Sequence, residues 1–437
     1  MSLANSSPIE PPGPDGVVAI DVVPAALPTL RALRAEFGDV VSFAAPNGRR
    51  ALFVNDPDAV RRLLVKQHAG YRKGKGFERV EMLLGNGLIV SNGDVWRRSR
   101  TMIQPSFSRQ NVHQLIELMI ECTARKVTAW QGIADAAGTL NVTQEMSDFA
   151  LELILRAIFG PDYERHILSD GDNPFAFLSQ DATRDLSVVM KLRRLRELLL
   201  TIIGHRRKQP QSERYDFLGM YLAAKDKDGT PFTDRELLDE LMTLIVAGYE
   251  TSAGTLNWCW HLLANDQQAQ DRVHAEACHY GPDFSAADND PALAGMPWTQ
   301  QVLDETLRLY PPVWLFSRRA LKDDVLLDFA IPEGADLYIS PLIMQRTAEF
   351  WSEPDAFQPE RFGPDGPYQK GDRPFIPFSL GPRRCLGEYF SYLEMKIHLG
   401  MLVQRFRMLP AGSEEPELDL GINLRSLADI HLKLENR

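Results

Sequence analysis

Apolar residues recur at helical spacing over most of this chain and alternate in only a few short stretches. The longest periodic run spans residues 233–265, where Leu237, Leu238, Leu241, Leu244, Ile245, Leu256, Leu262 and Leu263 follow Thr233-Asp234-Arg235-Glu236, a sequence that can close a capping box. A helix so long and so apolar is expected at the centre of the fold. Further helices are predicted over 30–37, 58–67, 94–100, 114–130, 143–159 and 185–207, and again from Gly387 onward, where Phe390, Leu393, Ile397, Met401 and Phe406 keep the period. Strands are predicted at 40–43 and 51–54 around the turn Pro46-Asn47-Gly48, and at 313–316, 325–327 and 337–340. The fold class is therefore mostly α with a smaller β subdomain. Residues 71–93 are punctuated by glycine and mix Met82, Leu83, Leu84, Leu88 and Val90 with polar positions, so a plain surface loop and a pocket cover both remain open.

Composition narrows the function. The chain has 437 residues, 44% hydrophobic and 24% charged, which is ordinary for a globular protein. A net charge of -11 disfavours a nucleic-acid partner, since phosphate binding needs positive surface. The four cysteines, Cys122, Cys259, Cys278 and Cys385, are too widely spaced for a disulfide framework or a zinc site and suit a reducing cytoplasm. No run approaches the roughly 20 apolar residues of a spanning helix, and residues 1–16 form a polar, proline-rich lead expected to be flexible and to lack a signal pattern. Length and composition alone leave open one large domain or two to three ordinary ones.

The candidate chemistry centres on Phe378-Ser379-Leu380-Gly381-Pro382-Arg383-Arg384-Cys385-Leu386-Gly387. Glycines on both sides let the backbone bend tightly around one cysteine, and the helix that follows offers free N–H groups that favour thiolate over thiol. A lone cysteine beside an apolar helix is more often structural. Against that stands the whole pattern F-x-x-G-x-R-x-C-x-G, whose chance occurrence in a chain this long is about one in ten thousand or rarer.

This loop resembles the haem-binding loop of the cytochrome P450 family. Three further motifs stand in the family's order. Ala247-Gly248-Tyr249-Glu250-Thr251, in the long helix, is similar to the oxygen-activating element A-G-x-[DE]-T. On the residues alone, Gly248 could permit close helix packing with Glu250 and Thr251 facing outward, or the small residues could make room for a flat cofactor while the Thr251 hydroxyl loosens the helix beside it. Glu305 and Arg308 form E-x-x-R, which the family pairs with an arginine of a later P-E-R-F segment, here Arg361. Trp96 and Arg100, four apart on one helical face, match the family's pair for a cofactor propionate.

The resemblance implies one catalytic domain over residues 17–437, with a haem b held between the long central helix and the cysteine loop and Cys385 as the iron ligand. Trp96, Arg100, Ala247, Gly248, Arg319, Phe378, Gly381, Arg383 and Gly387 are the expected cofactor contacts, with Arg318 as an alternative to Arg319. Thr251 and Glu250 are the expected proton-relay residues, and Glu305, Arg308 and Arg361 a structural clamp. Met82, Leu83, Val90, Leu244, Ala247, Val313, Trp314, Leu315 and Ile422 are expected to line a hydrophobic pocket. The implied activity is monooxygenation: one oxygen atom from O2 enters a C–H bond of a hydrophobic small molecule such as a terpenoid, fatty acid or polyketide, in the manner of secondary metabolism. Electrons would come from NAD(P)H through a separate ferredoxin or flavodoxin-type donor. A cytoplasmic monomer without a membrane anchor is expected. Arg97, Arg98 and Arg384 are expected to form a basic patch for that acidic donor. Two departures stand out: Gln345-Arg346 replaces the more usual His-Arg, with little effect expected, and the mobile lid region between 160 and 185 looks short. A non-catalytic haem-containing binding or sensing protein, and an enzyme driven by hydrogen peroxide, are the competing readings, and the acid-alcohol pair Glu250-Thr251 argues against both.

Overall fold

The capping box at the head of the longest helix closes as its sequence predicts: Glu236 N–H donates to Thr233 Oγ1 at 3.3 Å and Thr233 N–H donates to Glu236 Oε2 at 2.8 Å. From that start the central helix runs unbroken over Asp234–Asn265 and is buried along most of its length. Its closest partner is the helix Val142–Phe159, and Gly248 permits the approach, because a Cβ there would sit 2.7 Å from Ile154 Cγ1. Around these two pack the helices Ile116–Asp135, Leu186–Arg206, Gln267–Ala277, Pro297–Leu309 and Glu388–Arg405. The computed structural model describes residues 8–20, 25–168, 173–177, 186–208, 215–290, 293–368 and 374–437, so the expected short lid lies partly outside the described residues.

The strands, in chain order, are β1 (Val40–Ala44), β2 (Arg50–Val54), β3 (Tyr71–Lys73), β4 (Thr139–Asn141), β5 (Phe316–Ala320), β6 (Asp324–Leu326), β7 (Phe329–Ile331), β8 (Asp336–Ile339), β9 (Phe406–Pro410), β10 (Leu418–Leu420), β11 (Leu424–Ser426) and β12 (His431–Asn436). The predicted hairpin forms as β1–β2, and its sheet continues β1-β2-β8-β5-β3, which brings residues near 50, 72, 318 and 337 side by side. The strand expected at 313–316 begins three residues later, at Phe316. Residues 8–16, expected as a loose lead, are pinned to this region from Ile9 onward. Ile9 N–H donates to Asp328 O at 3.0 Å, and Pro12 O accepts from Ser42 N–H at 2.8 Å. The glycine-rich stretch also holds a helix that its sequence concealed, Phe77–Leu84. No helix among the described residues is long and apolar enough to cross a membrane.

The central helix is tied to Glu388–Arg405 by a hydrogen bond from the Ser252 hydroxyl to the buried Glu394 carboxyl. Burial pushes that carboxyl up to about 8, and the Ser252 bond opposes the rise. The folded state thus holds the Glu394 proton more tightly than the unfolded chain, whose value is near 4.5. The stability from this group is complete below the unfolded value and is lost as pH rises through about 8. Glu394→Gln is accordingly expected to leave the melting temperature little changed at pH 5 and to raise it at pH 8. A difference that does not depend on pH would contradict this.

Candidate functional site

The cysteine loop is shaped by its glycines and by backbone hydrogen bonds. Gly381 adopts φ +70°, and a Cβ there would lie 2.2 Å from Leu64 O, so no other residue fits without displacing that strand of chain. Residues Gly381–Arg383 form a single 3₁₀ turn, Cys385 N–H donates to Phe378 O at 3.0 Å, and the Phe378 ring packs on Tyr392. Gly387 caps the helix Glu388–Arg405, where an added Cβ would touch only Cys385 Sγ, at 3.9 Å.

Cys385 is solvent-accessible, whereas Cys122 and Cys259 are buried. Protein nevertheless surrounds the Cys385 sulfur densely enough that desolvation is the largest influence and raises its pKa. The N–H groups of Gly387 and Glu388 and the Arg100 guanidinium act in the opposite direction, as the position at a helix start predicts. A metal cation at the sulfur would shift the balance to thiolate.

Beside the loop lies a cluster of cations that strand register explains. In β3–β5, Lys73 stands directly opposite Arg318, and Arg72 opposite Arg319. Like charges directly opposed are unfavourable, so the Lys73/Arg318 face needs an anion. Arg383 joins this face, stacked over the Trp96 ring at 4.2 Å and bonded to Ser91 O (3.1 Å) and Asn92 Oδ1 (3.3 Å). Arg100 completes the group and donates to Arg384 O at 2.8 Å. Burial lowers Arg318 to about 9 and Arg383 to about 10, and each is lowered further by a neighbouring arginine. Lys73 is lowered by burial and then by Arg318 and Arg383. None of the four has a carboxylate partner in an ion pair among the described residues.

Arg319, expected at the cofactor, lies on the other face of β5. Its register partner in β8 is Asp336, to which it donates at 2.9 and 2.8 Å, so its charge is already neutralised. Arg318 is the one of the two without a carboxylate partner among the described residues; it donates to Ser317 O at 2.9 Å. Lys73 was missed in the sequence because only the pairing of β3 with β5, across some 250 residues, reveals it.

The central helix contributes a second surface. On this largely buried helix Leu244, Ala247 and Thr251 are only partly buried and lie along one face, whereas Gly248, expected at the cofactor, turns its Cα toward Ile154 of the helix Val142–Phe159. Thr251 Oγ1 donates to Ala247 O at 2.8 Å, and the helix is not interrupted there, so the expected loosening is not seen. The Glu250 carboxylate is not free: it pairs with Arg425 of β11, whose guanidinium is raised because Glu250 outweighs burial.

The expected pocket residues divide by exposure. Met82 (80%), Val313 (37%) and Ile422 (44%) are open, and Leu315 is half-buried. Trp314 departs from expectation: its ring is buried and its indole N–H donates to Gly421 O at 3.0 Å, making it an anchor for the turn that carries Ile422. Val90 is likewise buried, and the Leu83 side chain lies outside the described residues.

Glu305, Arg308 and Arg361 meet in the interior. Arg308 donates to both Glu305 oxygens (2.7 and 2.8 Å), Arg361 donates to Oε1 (3.2 Å), and neither Glu305 nor Arg308 has any exposed surface. Gln345, where little consequence was expected, is buried beside them and donates to Leu307 O and Arg308 O at 3.0 and 3.1 Å. Its Oε1 accepts from Ile376 N–H at 2.9 Å, which carries the clamp to the entrance of the cysteine loop. Each arginine of the expected donor patch has an acid partner: Arg98 is bound to Asp226 and Glu236, Arg384 to Glu388, and Arg97 to Asp94.

The residues present fit a haem. Its iron requires a reachable soft ligand, its face requires small side chains, and its two propionates require cations not already neutralised. An accessible cysteine, the Ala247 stripe and four unpaired cations answer each requirement. One consequence is testable. Arg318→Met removes a buried, unpaired cation, so it is expected to raise the melting temperature of the haem-free protein while making the loaded protein lose haem faster to apomyoglobin. Destabilisation of both forms would contradict this assignment.

Comparison with known proteins agrees with this geometry. The family model for cytochrome P450 matches residues 25–429. Cyclooctatin synthase of Streptomyces melanosporofaciens is 30% identical over 375 residues, covering 81% of this chain and 80% of the relative. Cytokinin hydroxylase of Arabidopsis thaliana is 29% identical over 422 residues, covering 88% and 79%. Among solved structures, the cytochrome P450 CYP102L1 superposes with a TM-score of 0.85 over 99% of this chain and 100% of that one, at 21% identity. The chain belongs to the cytochrome P450 family.

Proposed function

We propose that this protein is a haem-thiolate monooxygenase that inserts one oxygen atom of O2 into a C–H bond of a hydrophobic small molecule, with residues 17–437 as a single catalytic unit. Membership of the family implies haem and the use of O2. The finer reading is that the haem is of the b type, that Cys385 binds its iron, and that NAD(P)H supplies electrons through a separate ferredoxin or flavodoxin-type partner. The observation that carries this reading is the coincidence of an accessible Cys385 with four neighbouring cations that have no carboxylate partner among the described residues.

When bound, the haem supplies activation of dioxygen and its delivery to carbon. The remaining tasks belong to the protein. Lys73, Arg318, Arg383 and Arg100, with Trp96 beneath Arg383, would hold the propionates of the group. Leu244, Ala247 and Leu315 present apolar surface to the substrate and keep water away from it. Thr251 Oγ1 carries a proton now donated to Ala247 O, and its lone pairs stay free to accept from water. Glu250, held by Arg425, takes a proton from water and passes it on through water toward that hydroxyl. The substrate is a hydrophobic molecule, since the exposed candidates Met82, Val313 and Ile422 are all apolar.

Thr251→Ala tests the relay. The variant is expected to keep its haem and to consume NAD(P)H, but to lower product per NAD(P)H by about tenfold, with hydrogen peroxide rising to match. Unchanged coupling would remove Thr251 from the proton path.

A further inference from the structure

Two consecutive acids near the start of the central helix do not face solvent. Asp239 and Glu240 are both buried, and both receive backbone N–H groups from the glycine-rich segment that follows the helix Phe77–Leu84. Asn86 N–H donates to Asp239 Oδ2 at 3.1 Å and Leu88 N–H donates to Glu240 Oε2 at 2.9 Å. Gly85, at φ +83°, and Gly87 allow the contact: a Cβ on Gly85 would lie 2.0 Å from Asp239 Oδ1, and one on Gly87 would lie 2.3 Å from Thr243 Oγ1. The same segment is held at its far end, where Arg383 donates to Ser91 O and Asn92 Oδ1. Residues 85–92 therefore form a strap between the central helix and the cysteine loop.

A third element shares the fastening. Arg196, from the helix Leu186–Arg206, donates to Asp239 Oδ1 at 2.9 Å. It neutralises a carboxylate that would otherwise be buried with only a backbone donor. Asp239 thus accepts from two elements at once, one through each oxygen.

We infer that Asp239 and Glu240 are positioning residues that latch the 85–92 strap over the pocket, and that Arg196, through Asp239, couples opening of the strap to movement of the Leu186–Arg206 helix. The latch rests on the expectation, drawn from the family resemblance for Met82, Leu83 and Val90, that this segment borders the substrate. Hydrogen bonds from amides to a carboxylate are the strong kind, so losing one or its counter-charge reports directly in local opening.

The test uses the haem-loaded enzyme, with two variants and two readouts. Arg196→Met changes a partly exposed side chain that bonds Asp239 rather than the strap. Asp239→Asn keeps the shape of the latch but not its charge. Hydrogen exchange in peptides covering residues 85–90 is expected to quicken about tenfold in both. In stopped flow, 4-phenylimidazole is expected to reach and leave the ferric haem several-fold faster, with its dissociation constant changed by less than about twofold. The reduced carbon monoxide spectrum should not change. Unaltered exchange in Arg196→Met overturns the coupling, and unaltered exchange in both variants overturns the latch. Faster exchange with unaltered ligand rates would show that the strap opens but does not cover the pocket, which sinks that reading instead.

Discussion

Glu305→Ala is expected to cost about 3–5 kcal/mol, a large share of the roughly 5–15 kcal/mol by which a domain is usually stable. The reason lies in what stays behind. Arg308 has no exposed surface, and without Glu305 its charge would rest on the carbonyls of Gln345, Pro354 and Ala356 alone. Arg361 would keep only Ser352 O, Ser352 Oγ and Glu353 O. Gln358 N–H, which donates to Glu305 Oε1 at 2.9 Å, would lose its acceptor as well. Two buried cations and one amide would thus be uncompensated. Glu305→Gln, which keeps an acceptor but loses the charge, should fall between the parent and the alanine variant. Urea unfolding with an unchanged slope is the measurement. A loss below about 1 kcal/mol for the alanine variant would mean that the three side chains do not act as a unit.

Cys385→Ser has the opposite profile. The residue is accessible and its backbone bond to Phe378 O survives substitution, so stability should move by less than about 1 kcal/mol. The spectral signature of the thiolate and monooxygenation should both disappear. The same change at Cys122 or Cys259 should do the reverse, because burial pushes those thiols up to about 12 and makes them inert parts of the core. Retained activity in Cys385→Ser would end the assignment of the ligand.

The parts of this site that could be read from the chain are those whose partners lie nearby in sequence. The capping box at Thr233, the hairpin at Asn47, the pair Glu305/Arg308 and the cysteine loop are each set within a few residues, and local geometry follows from local chemistry. What escaped depends on distant pairing. Alternation along β5 states that Arg318 and Arg319 face opposite ways, but only the register with β8 gives Asp336 to Arg319, and only the register with β3 sets Lys73 against Arg318. Glu250 meets Arg425 across 175 residues of chain, and Arg98 finds Asp226 across 128. Arg97 and Arg384 pair with acids three and four residues away, whereas the partner of Arg98 is concealed by sequence distance. Gln345 is a different case. Little effect was expected from a glutamine in place of the family's histidine beyond an altered propionate or backbone contact, and its amide joins three backbone groups that a smaller side chain would leave unpaired.

The most direct measurement is the visible spectrum of the purified, dithionite-reduced protein before and after carbon monoxide. A strongly red-shifted Soret band, lost in Cys385→Ser, is expected if Cys385 binds the iron as thiolate. A band typical of histidine-ligated haem, or a protein that takes up no haem, would contradict the proposed function at its base.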